Sequence, residues 1–157
     1  MSASASATPE DPPGGALIAW SWRGTGLFVV TASAATMAEG ARLLAAVVAL
    51  VLFGFGCVVF LWAFALAVAR SRTDAIGMGG LYFLSGSAPP TVRRSLMASL
   101  VLEVIVALVT ASIRVFTSLA FGILVPMYGL GLAGLWGARH GRFDRRDDRR
   151  VPPDPAP

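Results

Sequence analysis

One carboxylate, Glu103, lies inside a long apolar run of this sequence, and its side chain is the one best placed to do chemistry. A carboxyl group within a membrane span is by default a candidate for proton relay or cation coupling. Pro126, in the next apolar run, has no amide hydrogen, so the carbonyl oxygen of Gly122 lacks its helical donor. A protonated Glu103 can donate a hydrogen bond to that oxygen. We therefore favour a packing role for Glu103 over transport or a contact with another subunit.

The depth of Glu103 can be compared with that of other residues by counting along the apolar runs. Glu103 and Pro126 are equally far from the turn between the second and third runs, so we expect them at one level. Counting inward along the first run brings two glycines to the same level. The candidate intramembrane site is then the following set: Glu103, Gly122, Pro126, Gly54 and Gly56.

Cysteine and histidine are too few for the common metal and redox sites. Cys57 is the only cysteine and His140 the only histidine. A disulfide within the chain needs two cysteines, and zinc, haem and iron–sulfur sites need ligand sets that one subunit cannot supply here. Residues 77–80 are rich in glycine but lack the lysine of a phosphate-binding loop. The sequence predicts no catalytic, metal-binding or cofactor-binding residue, and we expect a protein that is not an enzyme.

Three long apolar runs form the scaffold that must position Glu103. They cover about residues 43–69, 91–112 and 117–137, and each reaches the roughly 20 residues that cross a hydrocarbon core as a helix. The chain is 55% hydrophobic, and its mean hydropathy is +0.69. The two-residue alternation of a membrane β-barrel strand is absent. The sequence therefore predicts an all-α membrane protein, with a three-span membrane domain at residues 43–138.

The arginines predict which side of the membrane each loop faces. The chain has 13 basic residues, and none of them is lysine. Most lie between the first and second spans or after the third: Arg70, Arg72, Arg93, Arg94, Arg139, Arg142, Arg145, Arg146, Arg149 and Arg150. Arginine excess marks the cytoplasmic side of a plasma-membrane protein. With three spans, the C-terminus is then cytoplasmic and the N-terminus lies outside.

Composition predicts the character of the segments outside the membrane domain. Residues 1–15 resemble a disordered low-complexity tail, and residues 139–157 a basic, then proline-rich, disordered cytoplasmic tail. Residues 16–42 fit an interfacial helix or a short hairpin, because a fourth span would bury Arg23 at a cost of about 2.5–3.5 kcal/mol. That fourth span stays open as an alternative, as does a translation start at Met37. Aspartates among the tail arginines argue against nucleic-acid binding.

Two further stretches are candidates for contacts between helices or with a partner. In the third span, Gly129, Ala133 and Gly137 follow the small-residue spacing that lets helix backbones approach closely. We expect them to pack against the first span or against a partner protein. Between the first and second spans, Tyr82 and Phe83 lie in an apolar stretch that is too short to cross the membrane. We expect these aromatic residues at headgroup depth or on a partner.

Two stretches carry a distinctive pattern of glycine, aromatic and arginine residues. The first is Arg70-Ser-Arg-Thr-Asp74 with Gly79-Gly-Leu-Tyr-Phe-Leu84, and the second runs from Ala120-Phe-Gly-Ile-Leu-Val-Pro126 to Trp136-Gly-Ala-Arg-His-Gly141. With about residues 43–143 as a whole, they resemble a family of small actinobacterial multi-pass membrane proteins. No activity is assigned to that family. The resemblance therefore implies lineage and topology, and it carries over no catalytic residue.

Three classes of function fit these observations. We favour a non-catalytic membrane protein that acts through helix packing, as an accessory subunit or assembly factor of a larger membrane complex. The alternative is a small oligomeric transporter or channel that uses Glu103. An enzyme acting on lipid is disfavoured, because the spans carry few polar groups. The expected partners are the lipid bilayer and either another membrane protein or a second copy of this chain.

Overall fold

Five α-helices and two short 3₁₀ segments make up the structure, a computed structural model that describes residues 14–113 and 118–145. Within these ranges there is no β-strand. The 3₁₀ segments, Glu39–Ala41 and Ser118–Leu124, precede the second and fifth helices. The helices are α1 (Gly15–Met37), α2 (Arg42–Arg70), α3 (Met78–Tyr82), α4 (Pro90–Ile113) and α5 (Pro126–His140).

Three helical stretches are long and apolar enough to cross a membrane: Glu39–Arg70, Pro90–Ile113 and Phe121–His140. The predicted all-α membrane fold with three such helices is therefore confirmed. The third stretch is interrupted, because its first part is 3₁₀ and α5 begins only at Pro126. Proline has no amide hydrogen to donate and is therefore suited to the first turn of a new helix.

Of the alternatives for residues 16–42, the hairpin does not form: Gly15–Met37 is one continuous helix, α1, of 23 residues. At about 1.5 Å per residue this helix is about 34 Å long, similar to α4. The helix continues through Gly24, which lies under the ring of Tyr128, where there is no room for a Cβ atom. One face of α1, which includes Phe28 and Ala32, is buried. The interior contacts of α1 make it part of the bundle.

The helices form a bundle in which α1 and α4 run in one direction and α2 and α5 in the other. Two side-chain contacts join α1 and α4: Ser21 contacts Ser99, and Thr25 contacts Glu103. The residue numbers increase in the same direction along both helices. These two helices are therefore parallel. The short turn after α1 reverses the chain into α2, so α1 and α2 are antiparallel.

Both ends of the described chain lie at one end of the bundle. Gly14 contacts Trp136 and His140, at the end of α5. The guanidinium of Arg70, at the end of α2, donates to the carbonyl of Ala138. The sequence prediction of an N-terminus on the side opposite the C-terminus assumed that residues 16–42 do not run the length of the bundle. In the structure α1 does run that length.

The loop after α2 and the residues after α5 form a cap over this end of the bundle. The amide of Arg142 donates to the carbonyl of Ser87 at 2.9 Å, and the amide of Ala75 donates to that of Asp144 at 2.8 Å. The C-terminal tail, predicted to be disordered from residue 139, is therefore bonded to the cap through residue 144. The rest of the predicted N-terminal tail (1–13), the rest of the predicted C-terminal tail (146–157) and the turn after α4 (114–117) lie outside the described residues.

Candidate functional site

Glu103 is fully buried where α1, α4 and α5 meet. Its Oε1 atom accepts a hydrogen bond from the hydroxyl of Thr25 at 2.7 Å. Its Oε2 atom accepts one from the backbone amide of Gly129 at 3.2 Å. The predicted bond to the carbonyl of Gly122 is not the one that forms. Glu103 lies level with Gly129, about one turn beyond the predicted level of Pro126.

The start of α5 at Pro126 explains why an amide, and not a carbonyl, faces Glu103. A helix that begins at this point directs its amide hydrogens towards its N-terminal end, and the helix dipole there favours an acceptor that carries negative charge. Gly129 lies near that end. A Cβ atom on Gly129 would lie 2.7 Å from Oε2 of Glu103, so the absence of a side chain lets the carboxylate approach the backbone.

Glu103 is the innermost member of a line of polar side chains between α1 and α4, which we call the polar seam. One turn nearer the capped end, the hydroxyl oxygens of Ser21 and Ser99 are 2.5 Å apart. Beyond them, Nε1 of Trp22 donates to the hydroxyl of Ser95 at 2.9 Å. Ser95, Ser99 and Glu103 are spaced by four residues, which places them on one face of α4. This spacing is the sequence signal that would have located the seam.

Tyr128 ties α5 to α1 beside the seam. Its hydroxyl donates to the backbone carbonyl of Trp20 at 2.5 Å, and its ring lies over Gly24. The Trp20 carbonyl belongs to α1, so this bond joins two helices that are distant in sequence. Tyr128 was not among the residues selected from the sequence.

The two glycines predicted at the level of Glu103 lie in different surroundings. Gly56 faces α5, where a Cβ atom would lie 2.6 Å from the backbone nitrogen of Tyr128. A Cβ atom on Gly131 of α5 would likewise lie 2.6 Å from the carbonyl oxygen of Gly56. Gly54 is exposed and has nothing within 4 Å of a Cβ position. Gly56 therefore belongs to the close α2–α5 crossing, whereas Gly54 does not. Gly122 lies against the ring of Phe28.

The small residues of the third span are used inside the fold. In the most apolar part of the stretch that contains α5, 67% of the residues are buried, compared with 28% in α4. Ala133 is fully buried, Gly129 faces Glu103, and Gly137 lies against the carbonyl of Leu81. These residues pack within the chain, but against α4 and α3 and not against the first span as expected, because the face of α5 that meets α2 is the one that carries Gly131. They offer no free face to a partner.

Tyr82 and Phe83, expected together on the membrane surface or on a partner, point in different directions. Tyr82 is buried, and its ring stacks on that of Phe60 with 4.4 Å between centroids. Burial raises the pKa of the Tyr82 hydroxyl. Phe83 remains half exposed. Only Phe83 is therefore available at the surface, because α3 turns Tyr82 inward against Phe60 of α2.

Arg70 closes the capped end of the bundle. Its guanidinium donates to the carbonyls of Ala138 at 2.7 Å and Gly141 at 3.3 Å, which are carbonyls at the end of α5. The same group forms an ion pair with Asp74 at 2.9 Å. It lies 5.6 Å from the ring centroid of Phe143. Arginine at this position therefore acts as a cap for the last carbonyls of α5.

Arg23 is the second charged residue in the middle of the bundle, and it faces outward. Its guanidinium carbon lies 6.0 Å from the ring centroid of Trp20. It forms no ion pair with any described carboxylate: Glu39 pairs with Arg42, and Asp74 with Arg70. Beside Arg23, an open groove with a volume of about 260 Å³ runs between α1 and α2. We call this the Arg23 groove, and its apolar walls include Trp20, Leu27, Val51 and Phe55.

Neither the described side chains nor the comparisons assign a chemistry to these sites. In residues 14–113 and 118–145 no three histidine, cysteine, aspartate or glutamate side chains are grouped so that they could hold a metal ion. Comparison with family models, curated proteins and solved structures gives no match. The resemblance to actinobacterial membrane proteins therefore stays a prediction, and the function has to be argued from geometry.

Proposed function

We propose that this chain is a non-catalytic protein of the plasma membrane that acts through helix packing, as an accessory subunit or assembly factor of a larger membrane complex. The observation that carries the proposal is the contrast between its two intramembrane charges. Glu103 has partners for both oxygens inside the bundle. Arg23 faces outward and lacks an ionic partner in the described part of the chain. A charge left unpaired on the outer surface favours binding to another membrane component.

We further propose that α1 is a fourth membrane span and that both ends of the chain are cytoplasmic. Its length, its place alongside α4 and the contact of Gly14 with Trp136 support this arrangement. The arginine-rich ends of α2 and α5 then face the cytoplasm. A cysteine introduced at Gly40, in a Cys57→Ser background, should react with an impermeant thiol reagent in intact cells. A cysteine at Gly77, which is exposed at the capped end and has open space around a Cβ atom, should not react, and the reverse labelling would contradict this topology.

The accessory role is tested by purification in a mild detergent. A C-terminally tagged chain should co-purify with other membrane proteins in a fixed stoichiometry and elute as a complex much larger than the chain itself. A tagged, unrelated multi-pass protein of similar size serves as the control. A preparation that contains only monomers, or only copies of this chain, would contradict the proposal.

The second candidate function is transport of protons or cations, and the polar seam is the observation that favours it. Its hydroxyl groups lead from the capped end towards Glu103. The close contacts around Glu103 argue against it, because the carboxylate is enclosed on three sides by packed helices. Proton or cation flux in proteoliposomes tests this function directly. We expect flux at the level of protein-free vesicles.

A further inference from the structure

We propose that the Arg23 groove is the docking site for a transmembrane helix of a different protein, and that this helix carries an aspartate or glutamate near the middle of the bilayer. The inference rests on the proposed accessory function and specifies that the partner carries an acidic side chain within its transmembrane helix. It follows from the depth of Arg23, from the shape and apolar lining of the groove, and from the position of the carboxylates in this chain.

The level of Arg23 can be measured against α4. Ser21 bonds to Ser99 and Thr25 bonds to Glu103, so Arg23 lies level with residue 101. That residue is halfway along α4, which extends from Pro90 to Ile113. The backbone of Arg23 is therefore near the middle of the hydrocarbon region, where a charged side chain without a partner is strongly disfavoured.

The surroundings of Arg23 satisfy its charge only in part. A cation over the face of a tryptophan ring is stabilised, and Trp20 supplies this contact at 6.0 Å. The described carboxylate nearest in level, Glu103, is on the inner side of α1 and is bonded to Thr25 and Gly129. The guanidinium therefore remains available to an acceptor that arrives from outside the bundle.

The groove beside Arg23 has the features of a surface that receives a helix. Its walls are apolar side chains of α1 and α2, and half or more of the surface of Leu27, Val51 and Trp20 is exposed. Because Gly24 has no side chain, the ring of Tyr128 can lie against α1 and form the base of the groove. Side chains of a neighbouring helix can fill such a groove while one carboxylate pairs with the guanidinium. In lipid, close packing and polar contacts of this kind drive helix association.

A second copy of this chain does not supply the missing carboxylate. Among the residues of α1, α2, α4 and α5, Glu103 is the only acidic side chain. It is fully buried in its own bundle. A lipid phosphate fits the depth less well, because headgroups lie at the bilayer surface, about 15 Å from the middle of a hydrocarbon core of about 30 Å. The observations therefore favour a carboxylate on the helix of another protein.

The test uses the purified full chain and synthetic transmembrane peptides. Polyleucine helices that carry either glutamate or leucine at the central position are labelled and reconstituted with the labelled chain in phosphatidylcholine vesicles. Association is measured by energy transfer. We expect the chain to bind the glutamate peptide more tightly than the leucine peptide by about tenfold, equivalent to about 1.4 kcal/mol.

Variants of Arg23 test the charge. Arg23→Gln should remove the preference for the glutamate peptide, and Arg23→Lys should retain it. Arg23→Glu should prefer a peptide with central lysine, which separates a direct ion pair from misfolding. An equal preference in the wild type and Arg23→Gln would overturn the proposal. A second result would also overturn it. In that result, added phosphatidylglycerol abolishes the preference for the glutamate peptide, and the chain retains this lipid only when Arg23 is present.

A matched pair of valines tests the groove. Val51 and Val58 lie on α2 and each is 64% exposed, but only Val51 lines the groove. Val51→Trp should weaken binding of both peptides, and Val58→Trp should leave it unchanged. Equal effects of the two changes would contradict docking at this site. The peptide measurement does not need the native complex, so an Arg23-dependent preference without any co-purifying protein would refute only the accessory role.

Discussion

Glu103 and Arg23 lie at nearly the same level of the bundle, yet three helices enclose the first side chain and the second faces outward. Glu103 accepts hydrogen bonds from Thr25 and Gly129, whereas Arg23 contacts only the ring of Trp20 among the interactions that the structure gives for it. The inner side chain is therefore bonded within this fold, and the outer one is suited to an assembly. The two residues should respond differently to substitution, in stability for one and in binding for the other.

Removal of α1 is the largest change that tests this comparison. A chain that begins at Met37 lacks Ser21, Thr25 and Arg23, so it leaves Glu103 without one partner and also removes the groove. An unpaired buried polar group alone costs about 1–3 kcal/mol, and the buried face of α1 adds to that loss. We expect this chain to aggregate or to elute as a broad peak in size-exclusion chromatography in detergent.

A chain that begins at Gly14 is the control, because it keeps every contact that the structure describes. It should elute and unfold like the full chain. If the chain from Met37 were equally stable, α1 would not be part of the bundle, and the difference between the two charged residues would lose its basis.

The three apolar spans were predictable because their signal is local. A run of about 20 apolar residues indicates a span whatever surrounds it. The course of α1 was not predictable in this way, since the sequence shows the penalty for an arginine within a span but not the contacts that α1 makes with α4. Ser21 and Thr25 gain partners on α4 only in the assembled bundle. Their four-residue spacing, matched on α4, was the available signal.

The predicted hydrogen-bond partner of Glu103 was wrong because of where α5 begins. The predicted bond assumed that Pro126 lies within one continuous helix, where it would leave the carbonyl of Gly122 free. In the structure Pro126 starts a new helix, so the nearby free groups are amide hydrogens such as that of Gly129. Composition alone does not distinguish a kinked helix from two consecutive helices.

The close crossing of α2 and α5 provides the second test, with a matched glycine as control. Gly131→Ala places a Cβ atom 2.6 Å from the carbonyl of Gly56. Overpacking of this kind costs about 1–3 kcal/mol, and we expect a lower unfolding midpoint in a detergent denaturation series. Gly54→Ala has open space around its Cβ atom and should leave the midpoint unchanged or raise it slightly. Equal effects would mean that the crossing is not as close as described.

Substitution of Glu103 should have a smaller effect. Glu103→Gln keeps an acceptor for Gly129 and a group that can bond to Thr25, and a hydrogen bond between membrane helices is worth about 0.6 kcal/mol on average. Glu103→Leu removes both bonds and should lower the free energy of unfolding by about 1.2 kcal/mol, the value of two such bonds. Proteoliposome flux measured on the same proteins should remain at background. Measurable flux in the wild type that is abolished in Glu103→Gln would show that the enclosed carboxylate transports protons or cations.

The smallest effect on stability, and the most direct test of the account, is expected for Arg23→Gln. Outward-facing substitutions away from packed contacts usually change stability by less than about 0.5 kcal/mol. The measurement is the amount of partner protein that co-purifies with tagged Arg23→Gln, relative to wild type and Arg23→Lys, together with the unfolding midpoint of each chain. We predict an unchanged midpoint in all three and loss of the partner in Arg23→Gln alone. A complex retained in full by Arg23→Gln would contradict the assignment of Arg23 to assembly.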